Sequence, residues 1–211
     1  MSLWVSHEPK VEFQASNTRT LTASRYPEIA VHTSINRNLL AFYDSYPASE
    51  VGGNFMTRWA MYANTPICDE VKNELYPQLK KYIQGRSKLD AAERLLNFVQ
   101  TAFTYEYDDK VWGGDRAFFA EETLYYPYCD CEDRSILFSH LVRDLLGLKV
   151  VLVYYPGHLA TAVQFNEEVN GDYLVVNGRK YTICDPTYIG ASIGRTMPQM
   201  DNSTAKVIIL N

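Results

Sequence analysis

Apolar side chains through the middle of the chain recur at helical spacing, and those after residue 147 recur at strand spacing. Ile67, Val71, Leu75 and Leu79 stand four residues apart and line one helix face. Thr65 and Pro66 read as the N-cap and first helical residue of that helix. Pro77, which lacks a backbone donor, predicts a kink, and Gly85 an end. Ser87 and Asp90 have the spacing of a capping box, and Leu95, Leu96, Val99, Ala102 and Phe103 then share one face. A third helix starts at Asp130 or Cys131, carries Leu137, Phe138, Leu141, Val142 and Leu145, and stops at Gly147.

Residues 150–155 and 158–165 read as strands, with Pro156-Gly157 as the turn between them. Residues 172–176 and 179–184 read as two more, joined by Asn177-Gly178, a strong hairpin signal. Asp185-Pro186 ends the last, because proline cannot donate to a central ladder. Helices followed by an antiparallel sheet predict an α+β fold. Residues 1–60 are rich in Tyr, Ser and Asn and predict only a strand at 28–32 and a short helix at 38–42. They read as an extension, and 61–211 as the main domain. The connector 108–128 holds Gly113-Gly114 and six aromatics, too long for a plain turn and too apolar for a linker. Such structured loops often form part of a site.

Composition narrows the function. The 211 residues carry 20 basic and 25 acidic side chains, a net charge of −5, without a run of Lys or Arg. That balance argues against a nucleic-acid groove, which works by neutralising phosphates. No apolar stretch approaches the roughly 20 residues that span a bilayer, and the start offers no signal-peptide core. Trp4 and Val5 stand within four residues of Met1, which reads as a domain cut from a longer chain. If that longer chain were exported, the cell envelope or periplasm is the expected location. Cys68, Cys129, Cys131 and Cys184 are too few for a disulfide scaffold.

The local feature with the most chemistry is Tyr128-Cys129-Asp130-Cys131-Glu132-Asp133-Arg134-Ser135, where a loop feeds a helix. A thiol in a first helical turn faces unpaired N–H groups and the positive end of the macrodipole, which favour thiolate. Asp130 and Glu132 oppose it, so Cys131 needs an imidazolium within reach; Asp133 is placed to cap the helix or to hold Arg134. His158 opens a strand, and Asp185 ends another; each lies 27 residues beyond the previous member. A cysteine nucleophile needs a base, and that base needs a group fixing its tautomer. Such a triad requires 158–165 to pair antiparallel with 180–184, leaving 167–178 as an excursion.

Residues 121–188 resemble the transglutaminase-like superfamily, papain-type enzymes in which a nucleophile-bearing helix packs on an antiparallel sheet. The matching residues are Glu122-Thr123-Leu124, Asp130-Cys131-Glu132-Asp133, Leu141-Val142-Arg143 with Leu146-Gly147, His158, and Asp185-Pro186-Thr187-Tyr188. The resemblance implies Cys131 as nucleophile, His158 as base and then acid, and Asp185 as orienting carboxylate. It implies acyl transfer from a peptide or protein amide, with hydrolysis favoured over crosslinking, and no cofactor; no calcium loop is recognisable. The oxyanion hole would use the Cys131 N–H and a second donor from Trp112, Tyr125 or Tyr126, of which Trp112 is the candidate. Cys129 and Ala160 depart from the family pattern, where glycine and an aromatic are common, and put the acceptor-side pocket in question.

Other uses of these residues compete. From its position alone, Cys131 reads more readily as a small buried hydrophobe than as a nucleophile. Zinc held by Cys129, Cys131, Cys184 and His158 is disfavoured, because Cys-x-Cys departs from the usual knuckle spacing. A non-catalytic module that binds peptide or glycan through the tyrosines of 105–128 is the alternative from a different class.

Overall fold

The computed structural model describes residues 11–45 and 52–211. Strands β1 (Arg19–Thr22) and β2 (Ala30–Thr33) form an antiparallel pair, followed by helix α1 (Arg37–Asp44). The helical layer then comprises α2 (Met56–Asn64), α3 (Asp69–Ile83), α4 (Lys88–Thr101) and the short α5 (Asp108–Val111) and α6 (Ala120–Tyr125). Two short strands, β3 (Thr104–Tyr105) and β4 (Tyr128–Cys129), pair in parallel. Helix α7 (Cys131–Leu146) leads into β5 (Lys149–Tyr155), β6 (His158–Gln164), β7 (Tyr173–Val176), β8 (Arg179–Cys184) and β9 (Lys206–Ile209). These last five form one antiparallel sheet in the order β7-β8-β6-β5-β9. The architecture is α+β.

Helix α7 is the hub. Every residue from Cys131 to Val142 is buried, so it is covered on all sides rather than along one stripe. It packs on β5 and β6 and is overlaid by α2, α4 and α6. Its ends follow local chemistry: Asp130 caps the start, and Gly147 at φ 65° takes the left-handed closing position. Ser87 caps α4 by accepting from Asp90 N at 3.1 Å, as its spacing predicts.

The hairpin Asn177-Gly178 turns with both φ values positive, 50° and 72°, the geometry that favours this dipeptide. Strand β7 lies outside β8, so residues 167–178 loop out and let β8 pair directly with β6.

The start of α3 differs from expectation. Thr65 does not open α3; it closes α2, with its Oγ1 donating to the Met61 carbonyl and its backbone extended at ψ 118°. The residue before a proline is driven out of helical conformation, so Pro66 separates two helices and α3 begins at Asp69. The chain runs through Pro77 inside α3. In the first sixty residues the expected strand shifts to β2, and the expected helix lies within α1. Leu21, Ile29, Val31, Ile35 and Leu40 share the core with α3, α4 and α7. Among the described residues, no helix is long and apolar enough to cross a membrane.

Candidate active site

The thiol is held by its own helix start. Asp130 Oδ1 accepts from Glu132 N, and Asp133 Oδ2 accepts from Asp130 N, both at 3.2 Å, closing a reciprocal cap. Asp133 Oδ1 also takes the Phe118 N–H at 2.8 Å, tying the aromatic loop to the helix. Arg134 is not Asp133's ion partner. Fully buried, it donates to the carbonyls of Gln100 and Phe103 and to Cys129 Sγ. The helix start is thereby tied to the end of α4 and to β4.

The histidine and aspartate are brought together by the sheet. Antiparallel pairing of Thr161 with Cys184 sets the end of β8 beside the start of β6. His158 Nε2 then lies 2.8 Å from Asp185 Oδ2, with both side chains buried. Asp185 Oδ1 accepts from Thr187 N at 2.9 Å and Tyr188 N at 3.2 Å. Gln100 Nε2 reaches across from α4 to the carbonyls of Asp185, Tyr188 and Ala191. Tyr155, opposite His158 across the turn, lies nearly parallel to the imidazole at 6.3 Å.

Cys131 and His158 line one open cleft of about 360 Å³. Cys131 is 8% exposed, so the residue borders the cleft rather than lying sealed in the core. Phe55, Trp59 and Tyr154 form an edge-to-face and tilted cluster on one part of the lining, and Tyr105 and Tyr107 another. Ser135 Oγ donates to the Leu159 carbonyl at 3.0 Å, binding the first turns of α7 to β6. The Cys131 sulfur's own proton goes to Glu132 Oε2 at 3.1 Å, and no hydrogen bond joins it to His158. Among the described residues His158 Nδ1 has no hydrogen-bond partner, and it is not one of their sealed, unpaired polar atoms.

The surroundings are acidic. Burial pushes the Cys131 thiol well up, and the charges of Glu132 and Asp130 add to the shift. Burial and then the neighbouring Asp133 and Glu132 raise Asp130. Asp133 is raised by burial, Glu132 and Asp108. Asp108 is raised by burial, and by Glu132 and Asp115, to about 6. Arg58 is the cation of the cleft lining; its guanidinium pairs with Asp115, while its Nε has no hydrogen-bond partner among the described residues.

Asp130, Cys131 and Glu132 offer donor atoms within 4.8 Å of one another, as do Asp108, Asp130 and Asp133, and Asp108, Asp115 and Glu132. Backbone amides already occupy Asp108, Asp130 and Asp133, and convergence of acids alone assigns no ion. Cys129, Cys184 and His158 belong to no such group among the described residues, so the four zinc donors weighed from the sequence do not converge.

Trp112 packs edge-on against Phe118 and Tyr126, with the Arg116 guanidinium over its ring at 4.6 Å. Neither Trp112 nor Tyr125 or Tyr126 lines the cleft, whereas Trp59 and Tyr105 do. Phe55, Arg58 and Trp59 also line the cleft, from a segment whose sequence has no clear periodicity to announce them. No family model matches the chain, and no curated protein matches it.

Proposed function

We propose that the protein is a cysteine-dependent acyl-transfer enzyme with a transglutaminase-like, papain-type core that hydrolyses amide or peptide bonds. The observation that carries this reading is the His158–Asp185 pair, 2.8 Å apart, at the edge of the cleft that Cys131 also lines. Asp185 Oδ2 accepts a hydrogen bond from the His158 Nε2–H, which leaves Nδ1 unprotonated and able to accept a proton. His158 accepts the Cys131 proton, and the thiolate attacks the carbonyl carbon. The tetrahedral oxyanion is met by the Cys131 N–H, a type of donor worth on the order of 100-fold in rate.

Collapse of that intermediate breaks the C–N bond, and His158 returns its proton to the leaving amine. Water, deprotonated by His158, then resolves the thioester. The aromatic lining suits an apolar side chain of an extended peptide.

A peptide vinyl sulfone with an apolar residue next to the warhead tests the proposal. It should label Cys131 in the wild type and lose that labelling in His158→Ala. Equal labelling of both proteins refutes the base assignment.

A further inference from the structure

Glu132 Oε2 accepts the Cys131 thiol proton at 3.1 Å, and nothing bonds the sulfur to His158. The proton that His158 has to receive therefore points at a different base. Glu132 is itself buried, at 6% exposure, and its backbone N–H is pinned by Asp130 Oδ1. Among the described residues the thiol is the one hydrogen-bond donor to its carboxylate. The charged and titratable groups facing the pair are Arg58 from α2, Asp108 from α5, Asp115 from the following loop, Tyr105 from β3, and Asp130 and Asp133 beside it. Arg58, the cation of this set, is already engaged by Asp115.

We propose that Glu132 is a positioning residue that holds the Cys131 thiol protonated and turned from His158 in the free enzyme, so that the nucleophile forms only after this hydrogen bond breaks. The role given to His158 here rests on the thiol-enzyme reading; the hold of Glu132 on the thiol does not. Activation is one proton transfer: the S–H bond breaks, the electron pair stays on sulfur, and an N–H bond forms at His158 Nδ1. A carboxylate next to the sulfur opposes that step, because like charges disfavour the thiolate. Glutamine keeps the shape, removes the charge and offers an N–H to the thiolate.

Iodoacetamide alkylation of Cys131, followed by peptide mass spectrometry at neutral pH, tests this in the wild type, Glu132→Gln and Glu132→Gln/His158→Ala. Glu132→Gln should react about tenfold faster, equivalent to one pKa unit, and the double variant should lose most of that gain. An unchanged or slower rate in folded Glu132→Gln overturns the proposal. A gain that survives His158→Ala supports the Glu132 proposal and refutes His158 as the base. If Glu132→Gln fails to fold, infrared difference spectra of wild type against Cys131→Ser decide. A Cys131 S–H stretching band lowered by hydrogen bonding supports the proposal, and absence of the band at neutral pH overturns it.

Discussion

His158 and Asp185 meet at 2.8 Å because β8 pairs antiparallel with β6, not because they are close along the chain. Asp185 occupies its other oxygen with the N–H groups of Thr187 and Tyr188. Its side chain is therefore fixed from two directions, and so is the ring it faces.

Asp185→Asn should keep this geometry while allowing the wrong tautomer of His158. Turnover is expected to fall by about 10⁴, the scale seen when an aspartate orienting a catalytic histidine is replaced by asparagine. Steady-state kinetics on a peptide amide, with circular dichroism to confirm the fold, check it. A drop of less than tenfold would remove Asp185 from the mechanism.

Gln100 is the strut behind Asp185, since its amide holds three carbonyls of the 185–191 loop. Gln100→Leu leaves buried acceptors unpaired and should cost about 1–3 kcal/mol in urea unfolding. It should also lower vinyl sulfone labelling of Cys131, whereas a variant that loses stability but keeps labelling would show that the loop does not position Asp185.

Trp112 packs edge-on against Phe118 and Tyr126, outside the cleft lining. Trp112→Phe keeps that packing and removes the indole N–H. Turnover should change by only a few-fold; a loss near 100-fold, the scale of a missing oxyanion donor, would restore Trp112 to the site.

Stability should depend on pH through Asp108, whose folded carboxyl is raised from 3.8 to about 6, first by burial. Between those values the folded chain binds more protons at this site than the unfolded chain. Its contribution is present at the acid end and is lost as pH rises through about 6. Asp130 and Asp133, also raised, act with the same sign. The urea midpoint of the wild type, compared with Asp108→Asn across this window, should fall more steeply with rising pH. Parallel curves would contradict the assignment.

Much of this was legible where one local rule decides. Ser87, Gly147 and Asn177-Gly178 mark their boundaries because caps and turns are short-range chemistry. The pairing of 158–165 with 180–184 followed from requiring His158 and Asp185 to meet, and β8 lies beside β6. Thr65 has the chemistry to open one helix or close another, and only the preceding turn of α2 distinguishes them. Phe55, Trp59 and Tyr154 join the cleft lining from segments about a hundred residues apart, so no local pattern announces them. The Glu132 contact was half visible: its charge was expected to oppose thiolate, but not to take the thiol's hydrogen bond.

Acid-quenched mass spectrometry of the protein mixed with a peptide thioester tests the central claim most directly. The mechanism predicts an acyl adduct on Cys131 that forms and decays during turnover in the wild type and forms at least about 100-fold more slowly in His158→Ala, within the general-base range. Adduct formation at the same rate in both proteins, or none on Cys131 while substrate is consumed, would contradict it.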